Sequence, residues 1–464
     1  MRDGILGIDL GTSGVKVIVT KNGREQKIRE GYESTDPKGW FDAICRATKV
    51  LDLSVVRAIG LSSQVGTYIY ETENGVHTVG WRESVGTEEV EQLLNDIPQE
   101  VFIKEISMPH PRIISYPLPR ISYIKKYHSV KNICQPKDYL IERLTGKRVT
   151  DKFSWRGLAN LNTGEYSGEL MRHVGIKSEM LPEITEPDSI AGYVTKEASE
   201  LTGILEGVPV VTGCNDFFAG LLGMGMIEGG QMFDITGTSE HLGVVTKDTS
   251  IDTPLVCGPY FFENAHYGVT ASSGASGTLA RKMCSNENLL DCLTPDAPLF
   301  LPYLNGERAP IWDADAKGVW FGISADTTQK QLAYSALEGI VFSLYHIYEH
   351  MGNPPCTQIT VAGGGAYDET LNRLKAAMFG VPIVILKQND TSALGAMMLA
   401  SVGVGDYADI KIAVEDCVRI ERKINVSSSL TSMLRQRFEM FKRLYPALKG
   451  EFNIFKNLKG RMLK

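Results

Sequence analysis

The chain lacks the sequence features that mark several large classes of protein. None of its apolar runs reaches the ~18 residues of a membrane-spanning helix, and its first residues, MRDGILGIDLG, lack the basic and then apolar layout of a secretory leader. Its eight cysteines include no Cys-x-x-Cys pair, which fits reduced thiols in a cytoplasm. We therefore expect a cytoplasmic protein that has no membrane partner.

Positive charge is also in short supply. The 464 residues carry 48 Lys and Arg against 55 Asp and Glu, a formal net charge of −7, so a nucleic acid is not an expected partner. Hydrophobic residues make up 43% of the chain, which is enough for large cores. At roughly 100–200 residues per domain, the length predicts two or three domains.

The two common phosphate-binding loops are absent from the first glycine-rich stretch. ILGIDLGTSGVKVIVT, residues 5–20, contains neither G-x-G-x-x-G nor G-x-x-x-x-G-K-[ST]. Its two apolar, β-branched runs joined by GTSG instead predict a strand, a tight turn and a second strand. The stretch therefore differs from the loops that lead from a strand into a helix.

A second copy of this stretch lies 226 residues further along the chain. GIDLGTSGVKVIVT aligns there with FDITGTSEHLGVVT, and five of the fourteen positions are identical, including residues 11–13 and 237–239. Both copies have the pattern of strand, turn and strand, and each opens one half of the chain. We infer an internal duplication that gives two related α/β halves, with chance similarity as the alternative.

The paired turns are suited to binding phosphate. Glycine lets backbone N–H groups approach a polyanion, and Thr12 and Ser13 add hydroxyl donors. Asp9, two residues before the turn, can hold Mg²⁺ against phosphate oxygens, and Lys16 adds positive charge. Two such turns could grip one polyphosphate from both sides. The alternative for GTSG is a plain hairpin turn.

A triple glycine occurs later, where a predicted strand meets a predicted helix in VAGGGAYDETL. Gly364 and Gly365 would leave a flat surface without side chains, which suits the stacking of a planar adenine. Asp368 caps the helix that follows, faces the nucleotide, or does both.

Asp216 is the only acid in VVTGCNDFFAGLLGMG, residues 210–225. Aspartate is common at helix starts, so Asp216 could cap the helix predicted for FFAGLLGMG. It could also accept a proton from a substrate hydroxyl. The two roles are compatible, because the positive end of the helix dipole would keep the carboxylate ionised, as a base must be.

Ten stretches of the chain occur in an order that is known from one family. They include GIDLGTSGVKV, GLSSQVG, KDYLIERLTG, GCNDFFAGLLGMG, PYLNGERAPIWDADAKGVWFGIS and SALGAMMLA, and the set covers nearly the whole chain. In these stretches the chain resembles the FGGY carbohydrate kinases, and most of all the xylulokinases.

This resemblance implies an ATP-dependent kinase of a small sugar that uses Mg²⁺. It also implies an α/β fold with two duplicated ribonuclease-H-like domains, of the type shared by actin, sugar kinases and heat-shock chaperones, around a central cleft. The first domain, 1–226, would bind the sugar and carry the first phosphate turn, and the second, 227–464, would bind the nucleotide. A homodimer is left open.

The resemblance also implies roles for individual residues. Asp216 matches the catalytic base, and Asp9 matches the acid that holds the metal. Gln64 matches a glutamine of the sugar loop and Thr12 a residue of the first phosphate turn. Gly237 and Thr238 match the second phosphate turn, and Gly274, Gly364, Gly365 and Asp368 match the nucleotide site. Beside these matches, Val65, Gly66 and Trp81 are candidate sugar contacts, and Gly11, Ser13 and Lys16 are candidate phosphate contacts.

The sugar loop departs from the family. Xylulokinases usually carry Gln-Met-His-Gly where this chain has Gln-Val-Gly-Thr at residues 64–67, and glycerol kinases place Arg-Glu at the Met-His positions. The pattern Trp-x-Asp-x-Arg is replaced by Trp-Arg-Glu-Ser-Val at residues 81–85. Because one lost polar partner changes discrimination by orders of magnitude, these departures leave the sugar unspecified.

We expect a ketopentose, as in xylulokinases. The alternatives are a kinase of the ribulose, fuculose, glycerol or erythritol type, or a non-kinase ATPase of the same fold group. Arg82 and Glu83 are candidates for substitute contacts to the sugar, with plain surface residues as the alternative.

Overall fold

The computed structural model describes residues 4–21, 24–32, 36–110, 112–248, 255–285 and 289–462. Helices and strands alternate through these ranges. Within them, no helix is both long and apolar enough to cross a membrane.

The strands are β1 (Gly4–Leu10), β2 (Gly14–Lys21), β3 (Arg24–Gly31), β4 (Val56–Ser63), β5 (Tyr68–Thr72), β6 (Gly75–Val79), β7 (Asn132–Cys134), β8 (Val149–Asp151), β9 (Glu183–Thr185), β10 (Ile190–Tyr193), β11 (Pro209–Val211), β12 (Cys214–Asn215), β13 (Met232–Thr236), β14 (Glu240–Thr246), β15 (Val256–Pro259), β16 (Asn264–Thr270), β17 (Leu299–Leu301), β18 (Val319–Phe321), β19 (Ile359–Gly363), β20 (Ile383–Leu386) and β21 (Ile420–Ile424). The α-helices are α1 (Pro37–Thr48), α2 (Thr87–Asp96), α3 (Gln99–Ile106), α4 (Pro117–Tyr127), α5 (Pro136–Thr145), α6 (Gly168–His173), α7 (Lys196–Thr202), α8 (Asp216–Gly223), α9 (Ser273–Met283), α10 (Gln329–His350), α11 (Glu369–Phe379), α12 (Thr391–Gly403), α13 (Ile410–Cys417) and α14 (Ser428–Met462).

The chain divides into two compact units. The first comprises residues 1–227, 258–261 and 390–418, and the second comprises residues 228–257, 262–389 and 419–464. Helices α12 and α13 thus pack in the first unit, although the boundaries predicted from the sequence, 1–226 and 227–464, count them in the second domain. Those boundaries stay a prediction.

The main sheet of the first unit brings two chain segments to one edge. Its strand order is β10-β11-β4-β1-β2-β3, and β12 also pairs with β4. β1 pairs antiparallel with β2, as predicted for residues 5–20, and parallel with β4. Because parallel strands end at the same edge of a sheet, Asp9 and the loop after β4 lie close together.

The main sheet of the second unit repeats this arrangement. Its order is β15-β16-β14-β13-β19-β20-β21, and β13 pairs antiparallel with β14 and parallel with β19. The outer pairs also match: β4–β11 and β19–β20 are parallel, while β10–β11 and β20–β21 are antiparallel. The internal duplication inferred from the two Gly-Thr-Ser turns is supported by these equivalent pairings.

Helix α12 lies against the first sheet at unusually short range. A Cβ on Gly60 of β4 would lie 1.9 Å from the Ala396 carbonyl of α12, and a Cβ on Gly395 would lie 1.9 Å from the Ala219 carbonyl of α8. Only glycine allows such approach of two backbones. The Ala- and Gly-rich α12 therefore fixes the position of α8, the helix that begins with Asp216.

Candidate active site

The first phosphate turn closes tightly between β1 and β2. The Gly11 N–H donates to the Gly14 carbonyl across 3.0 Å. Thr12 and Ser13 stand at the tip of the turn, where Thr12 is half-buried and Ser13 is exposed. The turn therefore presents two hydroxyl groups from a glycine-flanked backbone, and their binding of phosphate stays a prediction.

Asp9 lies at the carboxyl end of β1 with its side chain almost completely buried. One carboxylate oxygen accepts a hydrogen bond from the Ser62 hydroxyl at 2.7 Å, and the other accepts one from the Lys16 ammonium at 3.4 Å. The antiparallel register of β1 and β2 places Asp9 directly opposite Lys16. The acid and the cation that the sequence predicts for phosphate transfer are therefore neighbours.

A second acid, which the sequence analysis did not identify, also faces Lys16. One oxygen of Asp390 lies 3.7 Å from the Lys16 ammonium and 2.5 Å from the Arg29 guanidinium, and the other lies 3.3 Å from the Lys27 ammonium. The carboxylate is 5% exposed. Its place before a small-residue helix predicts a cap, but it makes no capping hydrogen bond. It gathers three cations beside the phosphate turn instead.

Asp216 is the first residue of α8 and not its cap. Asn215 is the cap: its side-chain oxygen accepts from the Phe218 N–H at 3.0 Å, and its amide donates to the Phe153 carbonyl at 2.9 Å. The strand β12 and this anchored cap hold Asp216 at the edge where β4 ends.

The charge state predicted for Asp216 is wrong. Burial of the side chain, and then the negative charge of Asp9, raise the pKa of Asp216 from 3.8 to about 7. Hydrogen bonds from the backbone N–H groups of Phe217 and Val65, and the charge of Lys16, offset only part of this rise. The helix N-terminus therefore does not keep the carboxylate fully ionised. A pKa near neutrality still suits a general base.

The predicted sugar loop meets Asp216 through its backbone. The Gln64 N–H donates to the Leu10 carbonyl at 2.8 Å, which fastens the loop to the end of β1, and the Val65 N–H bonds to the Asp216 carboxylate. Gly66 has a φ of +80°, and a Cβ there would lie 2.8 Å from the Ser115 Cβ. Glycine at this position thus follows from a tight turn, whatever the loop binds.

Trp81 joins the predicted sugar site to the phosphate turn. Its indole N–H donates to the Thr12 hydroxyl oxygen at 3.1 Å, and its backbone N–H donates to the Thr67 hydroxyl oxygen at 3.2 Å. The Arg82 guanidinium lies 5.1 Å from the centre of the indole ring. Glu83 instead folds back to accept the Gly80 N–H at 2.6 Å. The Arg82 guanidinium therefore lies beside Trp81, the Glu83 carboxylate bonds within its own turn, and contact of either side chain with the sugar stays a prediction.

In the second unit, the turn between β13 and β14 requires a glycine from a different element. The Gly274 N–H, in the first turn of α9, donates to the Thr238 carbonyl at 3.2 Å. A Cβ on Gly274 would lie 2.3 Å from the Gly237 carbonyl oxygen. The structure therefore brings these three predicted residues together, and their contact with phosphate or nucleotide stays a prediction.

The triple glycine forms a short 3₁₀ turn, Gly364–Tyr367, between β19 and α11. The Gly365 N–H donates to the Thr236 hydroxyl at 2.5 Å, which ties the turn to the end of β13. Asp368 caps α11 by accepting the Leu371 N–H at 3.0 Å, and its other oxygen lies 3.6 Å from the Arg281 guanidinium. The predicted cap is confirmed.

A cavity of about 540 Å³ opens beside this turn. Its walls combine apolar groups with charged ones, and they include Ala280, Arg281, Leu337, Gly364, Tyr367 and Asp368. Mixed walls of this kind, with a side-chain-free glycine, suit a ligand that has a flat apolar part and polar hydroxyls. The cavity lies where the sequence predicts adenosine.

Both parts of the chain match models of one family. Residues 4–223 match the N-terminal domain, and residues 234–404 the C-terminal domain, of the FGGY family of carbohydrate kinases. The chain belongs to the FGGY family. Its two-domain α/β fold matches that of FGGY sugar kinases, so the predicted fold class is confirmed.

The similar proteins of known function are sugar and sugar-acid kinases. The xylulose kinase of Staphylococcus epidermidis is 26% identical over 97% of this chain and 98% of its own. The solved structure of a ligand-bound xylulose kinase from Lactobacillus acidophilus is 25% identical with a TM-score of 0.87, covering 97% of this chain and 99% of that one. A gluconate kinase from the same organism has a TM-score of 0.86, with the same identity and coverage.

This FGGY protein is therefore a sugar kinase that transfers phosphate to a hydroxyl group. The hypothesis of a non-kinase ATPase of the same fold group finds no support among these matches. Among the residues that the structure describes, no group of three or more His, Cys, Asp or Glu side chains could hold a metal ion.

The FGGY kinase carries another buried acid that sequence reasoning missed. Glu307, in the GERAPIWD stretch, accepts the Ala271 N–H at 2.6 Å and the Arg308 N–H at 2.7 Å through one oxygen. Burial raises its pKa to about 7, against the effect of these two hydrogen bonds. The glutamate thereby holds the backbone that leads into α9 and Gly274. Its only sequence signal is its place in a family motif.

A buried lysine fixes both strands of the second hairpin. The Lys375 ammonium, from α11, lies 2.5 Å from the Asp234 carboxylate on β13 and 2.6 Å from the Glu240 carboxylate on β14. All three side chains are almost completely buried. In sequence, Lys375 occupies an ordinary amphipathic helix, and no local pattern marks it as the partner of two acids.

Proposed function

We propose that this kinase transfers the terminal phosphate of ATP to a hydroxyl of a small polyhydroxy substrate, with Asp216 as general base. The observation that carries the proposal is the environment of Asp216. The Asp216 carboxylate is partly buried and has a pKa of about 7. It accepts a hydrogen bond from the Val65 N–H of the predicted sugar loop, and the negative charge of Asp9 contributes to its raised pKa.

One general base is sufficient for the proposed phosphate transfer. The ionised Asp216 accepts the proton of the attacking hydroxyl as the new O–P bond forms. The bond between the terminal phosphorus and the oxygen of the leaving ADP breaks, and the proton on Asp216 later passes to solvent. Most of the catalysis in such a transfer is positioning and charge neutralisation.

The phosphate groups would be bound by the first turn. The backbone amides and hydroxyls of Thr12 and Ser13 would be the donors, and Lys16 supplies a full positive charge. Asp390 would hold Lys16, Lys27 and Arg29 in place while leaving an excess of positive charge at this edge of the sheet. In the second unit, Gly237, Thr238 and the cavity beside Gly364 would hold the nucleotide.

Asp9 fits a magnesium ion that arrives with the nucleotide. Mg²⁺ is usually held by one or two carboxylates together with phosphate oxygens and water, and both oxygens of Asp9 retain lone pairs beyond the bonds to Ser62 and Lys16. When bound, the ion would neutralise phosphate charge. Ser62 and Lys16 orient the Asp9 carboxylate for this role.

The first candidate substrate is a ketopentose. The similar xylulose kinases support it, although the side chains that define xylulose in the family loop are replaced by Val65, Gly66 and Thr67. An aldonic acid is the second candidate. The gluconate kinase structure is equally similar, and Arg82 places a cation beside Trp81 that a sugar carboxylate could pair with.

The test is a panel of ketopentoses, ketohexoses, polyols and aldonic acids, assayed by ADP release with ATP and Mg²⁺. One class should give turnover well above the idle rate. Asp216→Asn, which keeps the size but cannot accept the proton, should lower kcat by about 10²–10⁴-fold without abolishing nucleotide binding. Undiminished turnover in Asp216→Asn would exclude the base assignment. A panel without any substrate would overturn the proposed function.

A further inference from the structure

We propose that Trp81 is a positioning residue that fixes the Thr12 hydroxyl as a donor to phosphate and makes that donor sensitive to the sugar loop. The proposal rests on the proposed function of the first turn. It assigns Trp81 a role beyond lining the sugar site. Its evidence is two hydrogen bonds of Trp81, one from the indole N–H to Thr12 and one from the backbone N–H to Thr67.

The contact with Thr12 decides the direction of a hydrogen bond. An indole N–H can only donate, so Thr12 must accept through its Oγ1, at 3.1 Å. The hydroxyl hydrogen of Thr12 then cannot point toward Trp81 and remains available to another acceptor. Thr12 is half-buried at the tip of the turn, and in the proposed function that acceptor would be a phosphate oxygen. Trp81 thus sets the polarity of Thr12 before any ligand arrives.

The contact with Thr67 ties the same residue to the sugar loop. The Trp81 backbone N–H donates to the Thr67 hydroxyl oxygen at 3.2 Å, and Thr67 is 2% exposed. Gly66, just before it, is confined by the side chain of Ser115. The glycine of the xylulokinase pattern at position 67 has no hydroxyl, so this anchor is a property of this chain's altered loop.

The indole ring itself is held on one face. The Arg82 guanidinium covers it at 5.1 Å from the ring centre, a distance typical of a cation–π contact. With its indole N–H, its backbone N–H and one ring face engaged, Trp81 has little freedom to turn away. A displacement of residues 64–67 by a bound sugar would therefore move the indole N–H relative to Thr12.

The experiment measures nucleotide binding, which needs no turnover. We compare the Kd of a non-hydrolysable ATP analogue, AMP-PNP, with that of AMP for the wild type, Trp81→Phe, Thr12→Val and the double variant. Phe keeps the ring but removes the N–H. Trp81→Phe should weaken AMP-PNP about threefold and Thr12→Val about tenfold, with AMP unchanged. The double variant should bind AMP-PNP like Thr12→Val alone, because both changes act on one hydroxyl.

Trp320→Phe is the matched control. Its indole N–H also donates to a hydroxyl oxygen, that of Ser335 at 2.9 Å, within the second unit, so the same substitution removes the same kind of bond. It should leave AMP-PNP binding unchanged. Thr12→Ser, which retains the hydroxyl, should restore the affinity lost in Thr12→Val. If Trp81→Phe does not fold, Thr67→Val takes its place in the comparison, because it removes the acceptor of the Trp81 backbone N–H.

Two outcomes overturn the inference. One is a Trp81→Phe effect that adds fully to that of Thr12→Val, and the other is a wild type that binds AMP and AMP-PNP equally. The proposed function fails separately, when no member of the substrate panel gives turnover. If no substrate is found but the effects of Trp81→Phe and Thr12→Val on AMP-PNP binding are non-additive, the link between Trp81 and Thr12 still holds.

Discussion

At Asp216, burial and a neighbouring charge act against the helix N-terminus. The positive end of α8 and the N–H groups of Phe217 and Val65 favour the ionised form, yet the loss of water and the charge of Asp9 raise the pKa to about 7. The residue is consequently half-protonated near neutral pH. The raised pKa lowers the stability of the fold at neutral pH. It also suits a general base, which must both accept and release a proton.

The pH dependence of turnover follows from this value. Below pH 7 the carboxylate is mostly protonated and cannot accept the hydroxyl proton, so kcat/KM for the sugar should fall about tenfold per pH unit as the pH drops. The measurement is kcat/KM from pH 5.5 to 8.5, with thermal unfolding over the same range to exclude loss of fold. A flat profile down to pH 5.5 would contradict the assignment.

The free energy of unfolding should fall as the pH rises, whereas kcat/KM should rise. The folded pKa of about 7 lies above the unfolded value of 3.8, so ionisation favours the unfolded chain and stability is lost as the pH rises between these values. Asp216→Asn removes that penalty. It should raise the free energy of unfolding at pH 8 by about 1–3 kcal/mol and change little at pH 4. Urea unfolding at both pH values checks this, and a destabilised Asn variant at pH 8 would refute it.

Among the elements, α12 controls the position of α8 through backbone contact. Gly395→Ala would place a methyl group where the Ala219 carbonyl now lies, 1.9 Å away, so one helix must move. We expect a loss of about 2–4 kcal/mol in the free energy of unfolding, with lower kcat because Asp216 moves with α8. Gly168→Ala, at a helical glycine with no neighbour within 4 Å of the new Cβ, is the control and should be nearly neutral. Equal effects of the two substitutions would argue against this close packing.

Local sequence patterns were sufficient to predict some elements but not their partners. The β1–β2 and β13–β14 hairpins and the cap at Asp368 depend on neighbours in the chain, so their turn and cap residues predict them. The bond from Ser62 to Asp9 and the placement of Asp390 beside Lys16 depend on which strands and helices pack together. Burial, which sets the pKa of Asp216, is likewise a tertiary property.

Over the whole molecule, the two sheets share their pairings but not their chemistry. Asp9 of the first hairpin aligns with Ile235 in the second, where the acids are instead Asp234 and Glu240, buried around Lys375. Burial and Glu240 raise the pKa of Asp234. Burial lowers the pKa of Lys375, but the charges of Asp234 and Glu240 raise it by more, so the net shift is upward. In the first hairpin the acid, Asp9, lies beside the Gly-Thr-Ser turn. In the second hairpin the acids pair with a buried lysine and stabilise the fold.

Removing the central cation should therefore destabilise the second unit. Lys375→Met leaves two carboxylates buried without their partner and should cost about 3–5 kcal/mol at pH 8. The loss should shrink toward pH 5, because protonation of Asp234, whose pKa is raised by burial, removes one of the two charges. Thermal unfolding at the two pH values measures this. Lys442→Met, which removes a partly exposed ion pair with Glu349, is the control. A loss that is the same at both pH values would contradict the electrostatic explanation.

The first unit is discontinuous in the chain, and this has a consequence for its synthesis. Helices α12 and α13 belong to it, yet they follow most of the second unit in sequence. A ribosome therefore releases β1, β4 and α8 long before the helix that covers Gly7 and Gly60 exists. Until residue 418 has emerged, the nascent chain exposes an apolar sheet face that is prone to association with other chains. The half of the enzyme that carries Asp216 is made first and completed late.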